Sequence, residues 1–257
     1  MLSISDFIFC ENRNHSNKLL SKLGIKKKLI PLHDHNEKDI IDNYAEKIKD
    51  RVVSLISDAG SPLISDPGFK FVSYCIKKKI FVTTIPGPSS VISALQLSSL
   101  PPNQFVFWGF APKNKKGIIG FLSNVYKETK TSIIFVSSHR IKVLLELLEQ
   151  NIPERKISVC KEITKINEKS FIGTPKEVVK GLESNPKYML GEFVVVIEGI
   201  KDFKKNKFDE IGLEITAIIK KLLKKFSLTE TVEIVHKISY IEKNKIYKKA
   251  LDIKNDK

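Results

Sequence analysis

A twelve-residue loop rich in glycine, proline and aspartate is the feature that most constrains this chain. It has the sequence SDAGSPLISDPG, occupies residues 57–68, and directly follows the apolar run VVSLI at 52–56. The apolar run predicts a buried strand, so the loop begins at the carboxyl end of that strand. Open α/β sheets bind small molecules beyond the carboxyl ends of their strands, and glycine lets the backbone approach a ligand closely. The sequence thus predicts an α/β protein with a ligand at this loop.

Short β-branched or aromatic runs alternate with helical periodicity over most of the chain, a pattern typical of βαβ units. We predict strands at 6–10, 52–57, 80–85, 104–109, 131–136, 156–160, 169–172 and 192–198. We predict helices at 14–23, 37–49, 68–78, 89–98, 116–129, 140–150 and 175–183. The fold class is therefore α/β.

Paired prolines mark the best junction between two domains. Pro101 and Pro102 cannot continue a helix, so we place an N-terminal α/β domain at 1–102 and a second α/β domain at 103–200.

The remaining segment, 201–257, predicts a basic helical tail, because strand signals end at about residue 209. We predict helices at 211–226 and 244–253, with a capped start at 227–230. The tail is either a small helix-turn-helix-like module or a packing appendage with solvated lysines.

The formal net charge of +15 is compatible with a nucleic-acid partner, since a basic surface attracts phosphate. Of the 44 basic residues, however, 40 are lysine and four are arginine. Such a bias also arises from an AT-rich genome, so charge alone leaves nucleic-acid binding open.

The sequence contains no run of about 18 consecutive apolar residues and no signal-peptide pattern. We expect a cytoplasmic protein that does not contact a membrane. Cys10, Cys75 and Cys160 are widely spaced and odd in number, which favours reduced core cysteines over a disulfide frame or a zinc site. We expect no metal.

The glycine-rich motifs of P-loop NTPases and of ordinary Rossmann proteins are missing, as is the nucleophile elbow of α/β-hydrolases. A second loop, PGPSS at 86–90, follows a predicted strand and begins a predicted helix. Free N–H groups at a helix N-terminus favour an anionic group. Two such loops can flank one ligand, although each alone is also compatible with an ordinary strand-to-helix turn.

A polar cluster, LHDHNE at 32–37, precedes a predicted helix. His33 and His35 would point to opposite sides of a strand, which argues against a shared metal, and Asn36 is a suitable N-cap. Substrate contact and capping both remain open for this cluster.

Two further segments place charge at strand ends: SSHR at 137–140 and KEITK at 161–165. Arg140 is suited to a phosphate contact, and an ordinary helix-start arginine is equally compatible with the pattern.

In their order along the chain, these segments resemble the ribosomal small subunit RNA 2'-O-methyltransferase I family, within the tetrapyrrole methylase superfamily. The resemblance rests on HDHNE at 33–37, SDAGSPLISDPG at 57–68, PGPS at 86–89, SHR at 138–140, KEITK at 161–165, GEF at 191–193 and KNKIYKKAL at 243–251. The twelve-residue loop is the most specific of these segments.

The resemblance implies a two-domain α/β fold of the tetrapyrrole-methylase type with a C-terminal helical tail. It further implies a homodimer that binds S-adenosylmethionine between its domains. The implied reaction is methylation of the ribose 2'-hydroxyl of a cytidine in the decoding region of 16S rRNA, in the 30S subunit.

Site residues follow from matching positions in the loops. The implied cofactor contacts are Asp58, Ala59, Gly60, Pro86, Gly87 and Ser89. Glu162 and His35 are the candidates for a catalytic base, and Asp66 is expected to stabilise its own loop. The candidate RNA-facing residues are Glu11, Asn36, Arg140, Lys161 and Lys165.

The chain also departs from the family pattern. Members normally have a strand, a Thr-Pro-Ile-Gly-Asn type loop and a helix before the segment that matches 5–11 here, and we expect this first βα unit to be missing. The usual Glu-Asp-Thr-Arg reads ENRN at 11–14, and a usual Glu is replaced by Val136. Two alternatives therefore stay open: a non-catalytic RNA- or ribosome-binding remnant, and a tetrapyrrole methylase of the same fold.

Overall fold

The computed structural model describes residues 1–200, 213–239 and 241–255. The chain divides into two compact units, one of residues 1–125 with 131–198 and the other of residues 126–130 with 199–257. The predicted tail helix at 211–226 begins at two residues that lie outside the described ranges.

The first unit contains a three-stranded parallel sheet in the order β2-β1-β3. Its strands are β1 (Phe7–Cys10), β2 (Lys28–Pro31) and β3 (Val53–Ile56), and its helices are α1 (Arg13–Lys22), α2 (Glu37–Tyr44) and α3 (Phe69–Lys77). Every residue of β1 is buried, because the central strand of a parallel sheet is covered on both faces. Phe9 packs edge-on against Phe71 of α3 on one face, with ring centroids 4.7 Å apart, and Ile8 packs with Leu20 of α1 on the other.

A second sheet in the same unit has five strands in the order β4-β5-β8-β6-β7. Its strands are β4 (Phe105–Phe110), β5 (Thr131–Ser137), β6 (Ile157–Lys161), β7 (Lys169–Gly173) and β8 (Glu192–Ile197). The helices that follow the first sheet or flank the second are α4 (Ser90–Leu97), α5 (Lys115–Val125), α6 (Ser138–Asn151) and α7 (Pro175–Glu183). Strands β4 and β5 are parallel, whereas β8 runs antiparallel to both β5 and β6. The first residues of β8 therefore lie beside the last residues of β5 and β6.

The second unit has its own small core. Its described helices are α8 (Leu213–Leu222), α9 (Leu228–Ser239) and α10 (Lys243–Asn255). They enclose Ile219, Val232, Val235, Ile246 and Ala250, all buried. Ser227 and Glu230 form the predicted reciprocal cap, with the Ser227 N–H 2.9 Å from the Glu230 carboxylate. No helix within the described ranges is long and apolar enough to cross a membrane.

The structure confirms most of the predicted elements and differs most from the prediction at three places. The predicted strand at 80–85 is wrong: the segment has no regular structure, since it pairs with no strand in the described chain. Strand β2 was not predicted, because the three lysines and Pro31 around its two buried residues hide the strand pattern. Helix α2 ends at Tyr44 instead of continuing to residue 49.

Candidate functional site

A cavity of about 480 Å³ lies at the carboxyl ends of strands from both sheets. The loop after β3 and the start of α4 form one side of it. The ends of β4 and β5, the loop after β6 and the start of β8 form the rest. The ends of β5 and β6 meet here because antiparallel β8 lies between them, with Glu192 opposite Ser137 and Phe193 opposite Lys161. The opening is thus at the sheet edge where open α/β folds bind ligands.

The loop at 57–68 is held in an unusual backbone conformation. Gly60, Leu63, Ser65 and Gly68 all have positive φ angles, of 71°, 70°, 66° and 120°. Such angles are unfavourable for leucine and serine, and surrounding contacts must hold them in place. One such contact is the Gly68 N–H, which donates to the buried carboxylate of Glu37 at 2.6 Å.

Unused backbone donors line the cavity at both predicted loops. Within the described chain, the N–H groups of Ala59, Gly60 and Ser61 donate no hydrogen bond, and neither do those of Ser90 and Val91 at the start of α4. A helix start and a glycine-containing turn with free N–H groups suit a carboxylate or a hydroxyl. Donors of this kind fit the amino-acid part and the ribose of S-adenosylmethionine.

The opposite side of the cavity is apolar. Phe135 stacks edge-on with Phe110, with ring centroids 5.2 Å apart, and Ile163, Phe193 and Val194 complete this side. A cavity with an apolar side and a few convergent polar groups is the usual form of a small-molecule site. These apolar residues were not identified from the sequence, and their only signal was a position at a strand end.

Of the six predicted cofactor contacts, Ala59, Gly60 and Ser89 line the cavity. Asp58 does not: its carboxylate accepts a hydrogen bond from the Asn12 N–H at 3.2 Å. Pro86 and Gly87 are exposed and also lie outside the lining.

Asp66 lines the cavity, although we expected it only to stabilise its own loop. Partial burial, and after it the nearby charge of Glu11, raise the pKa of Asp66 from 3.8 to about 6. The Ser57 hydroxyl acts in the opposite direction, and Asp58 and Asp34 add to the rise. Asp66 is therefore a carboxylate in an acidic surrounding.

Glu162 has the opposite surrounding. Its carboxylate accepts the Glu192 N–H at 2.9 Å and pairs with Lys165 at 3.0 Å, and Lys165 also pairs with Glu192 at 2.9 Å. The Glu192 N–H and the Lys165 ammonium lower the pKa of Glu162. A carboxylate with a lowered pKa is a weak proton acceptor, and Glu162 is not among the residues that line the cavity.

His35 and Asn36 lie in the loop before α2. His35 is exposed, outside the cavity lining, with its ring 6.3 Å from that of His33. Asn36 precedes α2 as predicted, but its side chain does not cap the helix. It accepts the His33 N–H and donates to the Pro31 carbonyl, so it holds the loop.

The other candidate RNA-facing residues either form hydrogen bonds within the protein or are buried. Glu11 accepts a long hydrogen bond of 3.5 Å from the Asp58 N–H. Arg140 donates one guanidinium N–H to the Ala111 carbonyl and is partly exposed. Lys161 is only 3% exposed, which leaves almost no surface for the predicted RNA contact. No cluster of potential metal ligands occurs among the described residues.

Comparisons with known proteins give a consistent result. The family model described as Tetrapyrrole (Corrin/Porphyrin) Methylases matches residues 1–179. The chain is 36% identical to the Ribosomal RNA small subunit methyltransferase I of Haemophilus influenzae, over 96% of this chain and 87% of the relative. It is 38% identical to the protein of the same name from Xylella fastidiosa, over 84% and 80%.

Solved structures share the fold at lower identity. The uroporphyrin-III-C-methyltransferase of Thermus thermophilus superposes with a TM-score of 0.52 at 18% identity, over 77% of this chain and 84% of that protein. A diphthine synthase superposes with the same TM-score at 14% identity, over 77% and 81%.

Proposed function

The chain belongs to the tetrapyrrole methylase family and, within it, to the ribosomal RNA small subunit methyltransferase I group, and we propose that it methylates the ribose 2'-oxygen of a cytidine in 16S rRNA. It is an rRNA methyltransferase, and its cofactor is S-adenosylmethionine. The observation that supports cofactor binding is the cavity after β3, whose lining combines free backbone N–H donors with the partly buried carboxylate of Asp66. The choice of a cytidine 2'-oxygen rests on the resemblance of the sequence motifs.

We propose that the cofactor occupies this cavity, with contacts from Ala59, Gly60 and Ser89. S-adenosylmethionine supplies an electrophilic methyl group on a sulfonium. Asp58 supports the same loop through Asn12, and Pro86 and Gly87 shape the loop before α4. The apolar residues around Phe135 exclude water from the bound ligand.

The protein's main contribution to the rate is positioning. In-line transfer needs the attacking oxygen about 3 to 3.5 Å from the methyl carbon, and fixing that geometry removes much of the barrier. A ribose hydroxyl is weakly acidic, so a group that accepts its proton assists further.

The proposed RNA contacts are Glu11, Asn36 and Lys165, which lie on loops after strands of both sheets, and Arg140 in the first turn of α6 after β5. Arg140 keeps guanidinium donors for a phosphate beside the one given to Ala111. The net charge of +15 adds affinity for RNA that does not depend on sequence.

We also propose that the substrate is the assembled 30S subunit, that the protein acts as a homodimer, and that it acts in the cytoplasm, where ribosomes are. Analytical ultracentrifugation tests the homodimer independently of the chemistry.

The test is to incubate the purified protein with labelled S-adenosylmethionine and 30S subunits that lack the ribose methylation. Alkaline hydrolysis and nuclease mapping then locate the label, since a 2'-O-methyl group blocks cleavage at that nucleotide. We expect label on a cytidine ribose. Label on a base, on another nucleotide, or only on an added tetrapyrrole contradicts the proposal.

A further inference from the structure

We propose that Asp66 accepts the proton of the attacking ribose hydroxyl during methyl transfer. This inference rests on the function proposed above, and it replaces both Glu162 and His35 as candidates for the base.

The first support is the composition of the cavity lining. Only two of the lining residues have ionisable side chains, Asp66 and Glu192. The Glu192 side chain is 84% exposed and pairs with Lys165 at 2.9 Å, so its charge is already neutralised. Neither Glu162 nor His35 lines the cavity.

The second support is the charge around Asp66. The groups that face it are Glu11 after β1, Asp34 after β2 and Asp58 after β3, all of them acidic. No lysine or arginine pairs with Asp66 within the part of the chain that the structure describes. Burial and these acids raise the pKa of Asp66 to about 6, which suits a base that works near neutral pH.

The third support is that the backbone around Asp66 is fixed. Leu63 and Ser65 before it are in left-handed conformations, and Gly68 after it is bonded to buried Glu37. A Cβ atom at Gly68 would lie 2.7 Å from the Leu55 side chain, so the loop packs closely against β3. A base held by such contacts needs little rearrangement during the reaction.

The proton and electron balance is simple. The 2'-oxygen forms a bond to the methyl carbon while the bond from that carbon to sulfur breaks, and its electron pair stays on sulfur. The hydroxyl proton passes to the Asp66 carboxylate. The products are the 2'-O-methyl ribose, S-adenosylhomocysteine and a neutral Asp66, which later releases the proton to water.

The experiment compares Asp66→Asn and Asp66→Glu with the wild type on undermethylated 30S subunits, at saturating cofactor, between pH 5 and 9. Asp42→Asn, an exposed carboxylate on α2, is the matched control. Cofactor affinity is measured separately by calorimetry, which also shows that each variant is folded.

We expect the wild-type rate to fall below about pH 6 as Asp66 is protonated. Asp66→Asn lowers the rate by about 100-fold or more. It also removes the fall in rate at low pH (the acid limb of the pH profile), while its cofactor affinity stays within about threefold of the wild type. Asp66→Glu recovers part of the rate together with the acid limb, and Asp42→Asn matches the wild type.

Two results overturn the inference. One is an Asp66→Asn rate within threefold of the wild type with the acid limb retained. The other is a loss of cofactor affinity that accounts for the whole fall in rate, since Asp66 would then be a binding residue. If the wild type itself places no label on a cytidine ribose, the proposed function fails rather than this inference alone.

Discussion

The loop after β3 and the loop after β6 reach the same cavity but carry their carboxylates in opposite electrostatic states. Asp66 in the first faces three other acids, which together with burial raise its pKa to about 6. Glu162 in the second is neutralised by Lys165 and by the Glu192 N–H, which lower its pKa. The difference teaches that a carboxylate near a strand end is suited to proton transfer only when its neighbours leave its charge uncompensated.

The largest expected effect is a loss of stability when the Glu162 carboxylate is removed from the loop after β6. Glu162→Ala removes the acceptor of the Glu192 N–H and the partner of Lys165, so we expect the free energy of unfolding to fall by about 1.5 to 3 kcal/mol at pH 7. Glu46→Ala is the matched control, because Glu46 also pairs with a lysine three residues later but is 81% exposed. We expect a change of less than about 0.5 kcal/mol there.

This effect also has a predicted pH dependence. Because folding lowers the pKa of Glu162, its contribution is present above the ordinary glutamate pKa and disappears as the pH falls below it. Denaturant unfolding at pH 7 and pH 3 measures both values. Equal losses for the two variants at pH 7 would show that the Glu162 contacts are ordinary surface pairs.

The next effect concerns cofactor affinity at the loop after β3. Gly60→Ala places a side chain at a φ angle of 71°, and we expect the free loop to relax from this strained angle. Restoring the angle on binding costs about 1 kcal/mol, which weakens S-adenosylmethionine binding by about fivefold. Gly24→Ala is the control, since Gly24 has a φ angle of 69° and open space around it at the end of α1. Calorimetry of both variants gives the comparison. A similar loss of affinity in Gly24→Ala contradicts the assignment of this loop to the cofactor.

A smaller effect concerns the free energy of unfolding of Asp66→Asn, which reports the charge state of Asp66 without any activity measurement. Folding raises its pKa from 3.8 to about 6, so the folded state binds the proton more tightly and the free energy of unfolding falls as the pH rises through that window. Asp66→Asn should therefore stabilise the protein at pH 7.5, by about 1 kcal/mol or less because solvent screens this partly buried group. The gain should vanish near pH 4. Calorimetric melting at both pH values checks this, and a gain that persists at pH 4 would have another cause.

The smallest effect is a shift in the pH profile. Glu11→Gln removes the charge that, after burial, contributes most to the raised pKa of Asp66. The acid limb of the methylation rate should move to lower pH by less than about one unit. Asp42→Asn should leave the limb in place. An unchanged limb in Glu11→Gln means that a group other than Asp66 produces it.

Much of the fold was predictable because local patterns determine it. The order of glycine, proline and aspartate after an apolar run located the loop at 57–68 and predicted a ligand there. Pairing is less visible in a sequence. The apolar segment at 80–85 has strand propensity but no partner strand among the described residues, whereas Lys28–Pro31 pairs with β1 despite its lysine and proline.

The site was predicted less completely for a physical reason. The state of Glu162 depends on Glu192, which lies thirty residues later and reaches it only because β8 is antiparallel to β6. The state of Asp66 likewise depends on acids that follow two other strands. Spacing along the chain indicates which residues lie at the sheet edge. The charges that surround each of them can be predicted only when the register of the strands is known.

A crystal structure with bound S-adenosylhomocysteine tests the central contrast most directly, because the sulfur marks the position from which the methyl group leaves. The ligand should contact Ala59, Gly60 and Ser89, with its sulfur closer to the Asp66 carboxylate than to that of Glu162. A near-attack distance of about 3 to 3.5 Å plus one hydrogen bond of about 2.6 to 3.2 Å puts the carboxylate within about 7 Å of the methyl position. A ligand bound elsewhere, or a sulfur nearer to Glu162, would contradict the assignment of Asp66 as the proton acceptor.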